Sequence, residues 1–477
     1  MIIHRQKVIL QADPKRVIIL YNDLGAATYL TKSRAEKVVD RVLQIPEKNI
    51  DLLFESILKE FDHRHSKLLA SFGKHFAKVS KFIPKGSFIS EKRQFILGAH
   101  FTKEYSIQAA ALFNPSIVSH PNQAGLTQDE LRCIISLRSV GEGHISSIEF
   151  REGIIDKKGN IQLVKLTQFA SVAEKDLTKT YDTSTYRQRT KVAASFDQKI
   201  FDTLPDQFTH SEYDALKNHG AFDKYNSVSQ EFLANIIDAN YDLICDAQIP
   251  LSERVLFPQA KGESKGMEDV RFCEFFHEDG RKEYIGTYTA YDGHHIRPQL
   301  IITEDFVHFK SRAMYGKAVS DKGYALFPEK INGKYVMSGR QGGEDITLMY
   351  SDDLYNWEDY EVIMTPEFEW GLVQQGNCGS PLKTKKGWLL LTHGVGPLRK
   401  YVISAILLDL ENPSKVIGKY TQPMISPTAS EREGYVPNVV YSCGAIVHLD
   451  HLIIPYAMSD SASSFISLSL SELLDAM

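Results

Sequence analysis

From about Leu131 onward the chain is built of paired short apolar runs with a turn between them, a pattern that belongs to hairpin-rich β folds. The pairs are Cys133–Leu137 with Ile145–Phe150, Tyr284–Tyr288 with Gln299–Ile302, Tyr335–Met337 with Ile346–Tyr350, Trp388–Leu391 with Val402–Leu408, and Leu452–Tyr456 with Phe465–Leu470. The second run often ends in an acidic residue followed by an apolar one: Glu304-Asp305-Phe306, Asp352-Asp353-Leu354, Asp409-Leu410 and Glu472-Leu473. From the second pair on, the units recur roughly every 50–65 residues, the scale of propeller blades and similar β-repeats. The expected class is all-β, with a five-bladed β-propeller set against a β-sandwich. A long interruption separates the first two pairs. Helical spacing of Phe232, Ile236 and Ile237 within Ser227–Ile244 predicts a partly helical insertion there, over about 165–245.

The first hundred or so residues read as helical. Leu53, Ile57, Phe61, Leu68, Phe72, Phe76 and Val79 follow steps of three, four or seven and put one apolar stripe on a long helix. A second helix is expected over Phe95–Phe113, stopping at Asn114-Pro115, because the residue before proline disfavours the α region. The domain reading is an N-terminal helical extension over 1–105 and a β catalytic domain over 106–477. The extension is a candidate for homo-oligomer assembly or for shaping the outer part of a ligand pocket.

Composition removes several function classes. Lys+Arg of 55 against Asp+Glu of 60 gives a net charge of -5, which argues against broad affinity for nucleic acid. No apolar run approaches the roughly 18 residues of a membrane span, and Met1–Leu10 lacks a long signal-peptide core. Cys133, Cys245, Cys273, Cys378 and Cys443 lack CxxC spacing and read as reduced thiols of a cytoplasmic protein. No metal site or organic cofactor is expected. The chain has no GxxxxGK(S/T) loop, HExxH pair or GxSxG elbow.

Three polar groups stand out. In Gly266–Phe272 (GMEDVRF), Glu268 and Asp269 precede Arg271 at a strand entrance. Arg271 would keep one carboxylate ionised while a neighbouring charge raises the other, which suits a general acid; an ion pair at a sheet edge explains the same spacing. Lys322, Arg340, His393, Arg399 and Lys400 fall at turns between expected strands, where cations can meet an anion; singly, each also reads as a surface charge, and His393 as a core histidine. Arg138, Glu142, His144, Glu149 and Arg151 interrupt a β run and need partners, either each other or a polar ligand. Tyr288, Tyr291 and Asp292, with Tyr456 and Asp460, add aromatic–carboxylate pairs of the kind that bind sugar hydroxyls, or core tyrosines beside turn aspartates. Cys378, in the turn Gly376–Pro381, reads as a small buried residue and not as a nucleophile.

Assembled, the stretches NPSIV (Asn114–Val118), SLRSVGEGHISSIEFR (Ser136–Arg151), GMEDVRF (Gly266–Phe272), YTAYDG (Tyr288–Gly293) and ALFPEKINGKYVMSGR (Ala325–Arg340) resemble glycoside hydrolase family 130. GNCGSP (Gly376–Pro381), LTHGVG (Leu391–Gly396), LLDLENPSKVIG (Leu407–Gly418) and EREGYVPNVVYSC (Glu431–Cys443) continue the likeness in order. That resemblance implies a five-bladed propeller with a sugar pocket at one mouth, and phosphorolysis of β-mannosides with inversion, releasing α-mannose 1-phosphate. Likeness to the longer members points to β-1,2-linked mannooligosaccharides. It implies Asp269 as general acid, relaying its proton through a hydroxyl of the bound mannose. Asn114, Arg138, Arg151, Glu268, Arg271, Tyr288, Asp292, Tyr456 and Asp460 become sugar-site candidates, and Lys322, Arg340 and His393 phosphate ligands, with inorganic phosphate as co-substrate. Gln374 departs from the lysine of shorter phosphorylases, a loss that Arg399 and Lys400 would offset. The departure leaves open a hydrolase with Glu344 as water-holding base, besides a non-catalytic sugar-binding propeller.

Overall fold

Each of the five expected hairpins forms, as the second and third strands of an antiparallel meander. The computed structural model describes residues 2–25, 33–190 and 196–477. Its first meander runs through Ala111–Ser119, Leu131–Val140 and Ser146–Ile155, with Ile161–Leu163 outside. The second is Gly266–Phe276, Lys282–Tyr291, Ile296–Thr303 and His308–Ala313. The third is Ala325–Leu326, Tyr335–Gly339, Ile346–Ser351 and Tyr360–Met364. The fourth is Gln374–Asn377, Trp388–Val395, Tyr401–Leu408 and Val416–Lys419. The fifth, Val440–Tyr441, His451–Met458 and Ala462–Ser469, takes its outer strand, His4–Gln11, from the other end of the chain. Consecutive meanders pack on one another, and the fifth packs on the first. The protein is mostly β.

The acidic residues after the third strands have a local cause. Asp305 Oδ1 accepts from the Val307 and His308 amides at 2.8 Å each, and Asp409 Oδ1 from Glu411 and Asn412 at 3.0 and 2.9 Å. A carboxylate that caps its own turn lets the chain reverse without leaving amides unpaired. The inward faces are apolar: Phe150, Phe272, Phe306 and Phe309 stack in the second meander's cluster, and Trp388 and Leu390 lie with Phe327 between the third and fourth.

The interruption after the first meander carries helix Ser227–Ala239, where the spacing predicts one, and two more, Thr183–Arg189 and His210–Asn218, around a core of its own that includes Tyr186, Phe201, Phe208 and Leu233. Residues 191–195 of that insertion lie outside the described residues.

The chain divides into two compact units, one of Met1–Ala12, Ala110–Leu166 and Val172–Met477, the other of Asp13–Ala109 and Thr167–Ser171. The second unit holds four α-helices among its described residues and a two-stranded ribbon, Val17–Tyr21 with Thr102–Ser106. Two expectations fail here. The long striped helix is two, Glu47–Phe61 and Leu68–Val79, because Arg64 and His65 turn out of it to grip Glu104 at 2.7 Å each. The helix expected over Phe95–Phe113 ends at His100; Ala111–Ser119 is a strand buried on both faces, and such a strand shows no alternation that would distinguish it from a helix. Asn114-Pro115 marks a β-bulge in that strand, with Asn114 at φ +48° and a register shift between Phe113 and Ser116. Strands His4–Gln11 and Val17–Tyr21 occupy residues that read as helical.

Candidate active site

The meanders gather one set of turns at one end, the turns joining second to third strands, and a cavity of about 220 Å³ opens among them. Asn114, Asp269 and Arg271, Gln374, and Tyr441 reach it from the first strands of four meanders, and Lys322 from just before the third meander's first strand. Arg138, Arg340, Arg399 and Asp460 reach it at or beside the turns. Asn114, Asp269, Arg399 and Asp460 all have left-handed backbones, with φ of +48°, +54°, +55° and +51°. Such conformations cost roughly 1–3 kcal/mol each and persist where surrounding structure imposes them, often at working sites.

Asp269 shows why the backbone bends. Between Glu268 and Arg271 the strand register slips at a bulge. In a regular strand neighbours point to opposite faces; the bulge lets both carboxylates meet one guanidinium. Arg138 Nη2 donates to Glu268 Oε1 at 2.6 Å and Nη1 to Asp269 Oδ1 at 3.1 Å, while its Nε donates to Ser146 Oγ at 2.9 Å. Asn114 Nδ2 donates to the same Asp269 oxygen at 2.6 Å. Oδ1 is thereby engaged twice, and Oδ2 is the oxygen left for chemistry. Gly266 makes the junction: at φ +145°, a Cβ there would lie 2.6 Å from that of Ser146.

Burial works against the Asp269 anion, but Arg138, Lys322 and Arg271 outweigh it and hold the carboxyl below the usual range. Glu268 is displaced upward, by burial and by Asp269, against the pull of Arg138. Asp460 is raised by burial first and then by Asp269, to about 6.

The other charged residues that line the cavity are positive. Arg271 donates to the Tyr441 hydroxyl at 2.6 Å and to the Asp269 carbonyl at 3.1 Å, leaving its buried Nε unpaired. The side chains of Lys322, Arg340 and Arg399 make no hydrogen bond or ion pair among the described residues, and Arg340 Nε is buried as well. Five cationic side chains therefore face two carboxylates, a surplus that attracts an anion.

His393 corrects the expectation of a cationic turn residue. It lies 1 % exposed inside Trp388–Val395, and burial, then Arg340 and Arg271, drive it well below its ordinary pKa. Its Nδ1 lies 3.2 Å from the Asn377 carbonyl, which only accepts, so Nδ1 carries the proton and Nε2 receives the Gln374 amide at 3.3 Å. It is a neutral support behind the cavity wall. Gly376 permits this, since a Cβ there would meet His393 Cε1 at 2.5 Å and Arg340 Cδ at 3.2 Å.

Several other candidates lie outside the cavity. Tyr288 is buried and donates to Glu263 at 2.6 Å; Tyr456 donates to Glu431 at 2.6 Å. Arg151 is buried on the Phe150 carbonyl and Glu149. Asp292 caps its turn through the His294 and His295 amides, at 2.8 and 2.7 Å. Their polar groups are spent on packing and turn closure. Lys400 is exposed beside Arg399 without lining the cavity, Glu268 stands behind Arg138, and Glu344 is exposed on its turn. The Cys378 thiol is buried and pushed up to about 12, as suits a packing residue. Tyr441 was missed, although it lies in the quoted stretch Glu431–Cys443; a tyrosine there gives no sequence signal of holding an arginine. Among the described residues no cluster could hold a metal ion, and no helix is long and apolar enough to cross a membrane.

A family model described as beta-1,4-mannooligosaccharide phosphorylase matches residues 221–477. A 1,2-beta-oligomannan phosphorylase of Thermoanaerobacter sp. (strain X514) is 37% identical over 216 residues, 44% of this chain and 71% of that protein. A beta-1,2-mannobiose phosphorylase of Listeria innocua serovar 6a is 32% identical over 228 residues, covering 46% and 62%. A second Thermoanaerobacter protein, also named a beta-1,2-mannobiose phosphorylase, is 36% identical over 43% of this chain and 68% of its own. Asp269, Lys322, Arg340, Arg399 and Asp460 fall inside the family match; Asn114 and Arg138 precede it.

Asp460 yields a pH prediction. Its carboxyl binds a proton more tightly folded, at about 6, than at its ordinary 3.8, so its stabilising contribution is present below 3.8 and is lost as pH rises through 6. Asp460→Asn should therefore gain about 1–3 kcal/mol over the parent at pH 8 and little at pH 4, read from urea-unfolding midpoints.

Proposed function

The chain belongs to glycoside hydrolase family 130, and from that membership and the cavity we propose that it cleaves β-mannosides by inverting phosphorolysis, releasing α-mannose 1-phosphate. The β-1,2-mannooligosaccharides named for its relatives are the assigned substrate class, with inorganic phosphate as co-substrate. The ring of five meanders supports a propeller with the cavity at one mouth of its channel. Five buried, free cysteines suit the cytoplasm as its compartment.

One observation carries the reading: Asp269 shares its cavity with Lys322, Arg340 and Arg399, whose side chains make no hydrogen bond or ion pair among the described residues. A hydrolase that inverts needs a second carboxylate to hold water across the ring from the acid. Phosphate is already an anion and needs cations to align it with C1. Glu344, the candidate base, does not line the cavity.

The steps balance. Mannose stands between Asp269 and the cations; a phosphate oxygen bonds to C1 as the glycosidic C1–O bond breaks. The proton leaves Asp269 Oδ2, crosses a mannose hydroxyl and reaches the departing oxygen. The neighbouring cations favour the Asp269 anion, and phosphate resolves this: its charge offsets Lys322 and its neighbours, so the carboxyl takes up a proton from solvent as the nucleophile binds and has it to give.

Incubating β-1,2-mannooligosaccharides with and without phosphate tests the assignment. Mannose 1-phosphate should form only with phosphate; free mannose at equal rates in both would overturn it. Asp269→Asn should lower kcat by about 10²–10⁴, and near-normal turnover would remove its role as acid. Arg340→Ala should raise the KM for phosphate more than that for the oligosaccharide, since a charge-assisted contact to the anion is lost.

A further inference from the structure

The strained backbone extends beyond the residues used so far. Of the twelve non-glycine residues with positive φ among those described, eight line the cavity or lie in the turns and loops beside it, and four of these, His144, Leu398, Asn438 and Ser459, have no part in the chemistry above. Backbone hydrogen bonds join the segments that carry the last three. The Tyr401 amide donates to the Asn438 carbonyl at 3.0 Å, tying the fourth meander's turn to the loop 432–438. Within that loop the Asn438 amide meets the Arg432 carbonyl at 3.0 Å, and Arg432 Nε meets Asn438 Oδ1 at 2.9 Å, so its base is closed. The Val436 amide donates to the Ser459 carbonyl at 3.0 Å, fixing the loop on the turn that carries Asp460.

At the crest of this fixed loop Tyr435 is 64% exposed, with its ring 6.0 Å from that of His144 on the first meander's turn. Holding an aromatic pair rigidly in water gains little for the fold. Its apolar faces and polar tips match a sugar ring, which presents C–H faces and a hydroxyl edge.

Resting on the phosphorylase reading, we propose that His144 and Tyr435 form the platform for the leaving sugar, on the far side of the bond being cleaved. Size supports the placement. A cavity of about 220 Å³ falls below the roughly 300–1,000 Å³ of sites that enclose larger ligands, and it must already hold mannose and phosphate. The next sugar has to stand outside it, on the rim.

The synthetic direction, α-mannose 1-phosphate with β-1,2-mannobiose as acceptor, isolates this contact. Tyr435→Ala should raise the acceptor KM about tenfold, His144→Ala should act in the same direction, and Tyr435→Phe should restore most of the loss, with the donor KM far less affected. Acceptor and donor KM rising together, or an acceptor KM within twofold of the parent, would overturn the platform. Should the parent fail to use mannose 1-phosphate, the phosphorylase reading falls by itself. Calorimetric affinity for β-1,2-mannotetraose then still decides: weaker binding by Tyr435→Ala supports the platform, and equal or absent binding by the parent refutes it.

Discussion

The site depends on one guanidinium. Arg138 comes from the first meander and holds two adjacent carboxylates of the second, and without that charge Glu268 and Asp269 would repel one another in a partly buried corner. A buried charge that loses its partner typically costs several kcal/mol, far more than a surface ion pair contributes. The bulge at Asp269, the glycine at 266 and the Asn114 hydrogen bond all serve this contact. The same arginine divides the carboxylate labour, because it engages Oδ1 of Asp269 and not Oδ2.

The cations opposite are arranged on a contrary principle. Arg138 donates to two carboxylates and a hydroxyl, whereas the side chains of Lys322, Arg340 and Arg399 line the same cavity and make no hydrogen bond or ion pair among the described residues. Like charges in one cavity repel, so the arrangement is stabilised when an oxyanion enters. Neutral His393 buttresses Arg340 without adding to that repulsion, which explains why a histidine beside the anion site is buried and not exposed.

Much of this was legible in the chain. The five hairpins were readable because paired short apolar runs with a turn between them, and acidic residues capping the turns, are local signals. Asp269 and the cations at turns were found by residue type, spacing and family likeness. The strand Ala111–Ser119 was not, since a strand buried on both faces shows no period of two. Tyr288, Asp292 and Tyr456 were credited with sugar contacts because tyrosines beside carboxylates look alike in sequence whether they bind a ligand or each other. His4–Gln11 could not be placed either, as its partner strand lies at the opposite end of the chain.

That last pairing has a consequence during synthesis. His4 lies opposite Ser467, and Asp460 sits on the turn just before that strand. Synthesis must therefore run at least through Ala462–Ser469 before His4–Gln11 finds its neighbour and Asp460 takes its place. Until then Arg138 and Asp269 can meet, but the enclosure cannot be complete, so a truncated or stalled product would carry the acid without the full basin around it.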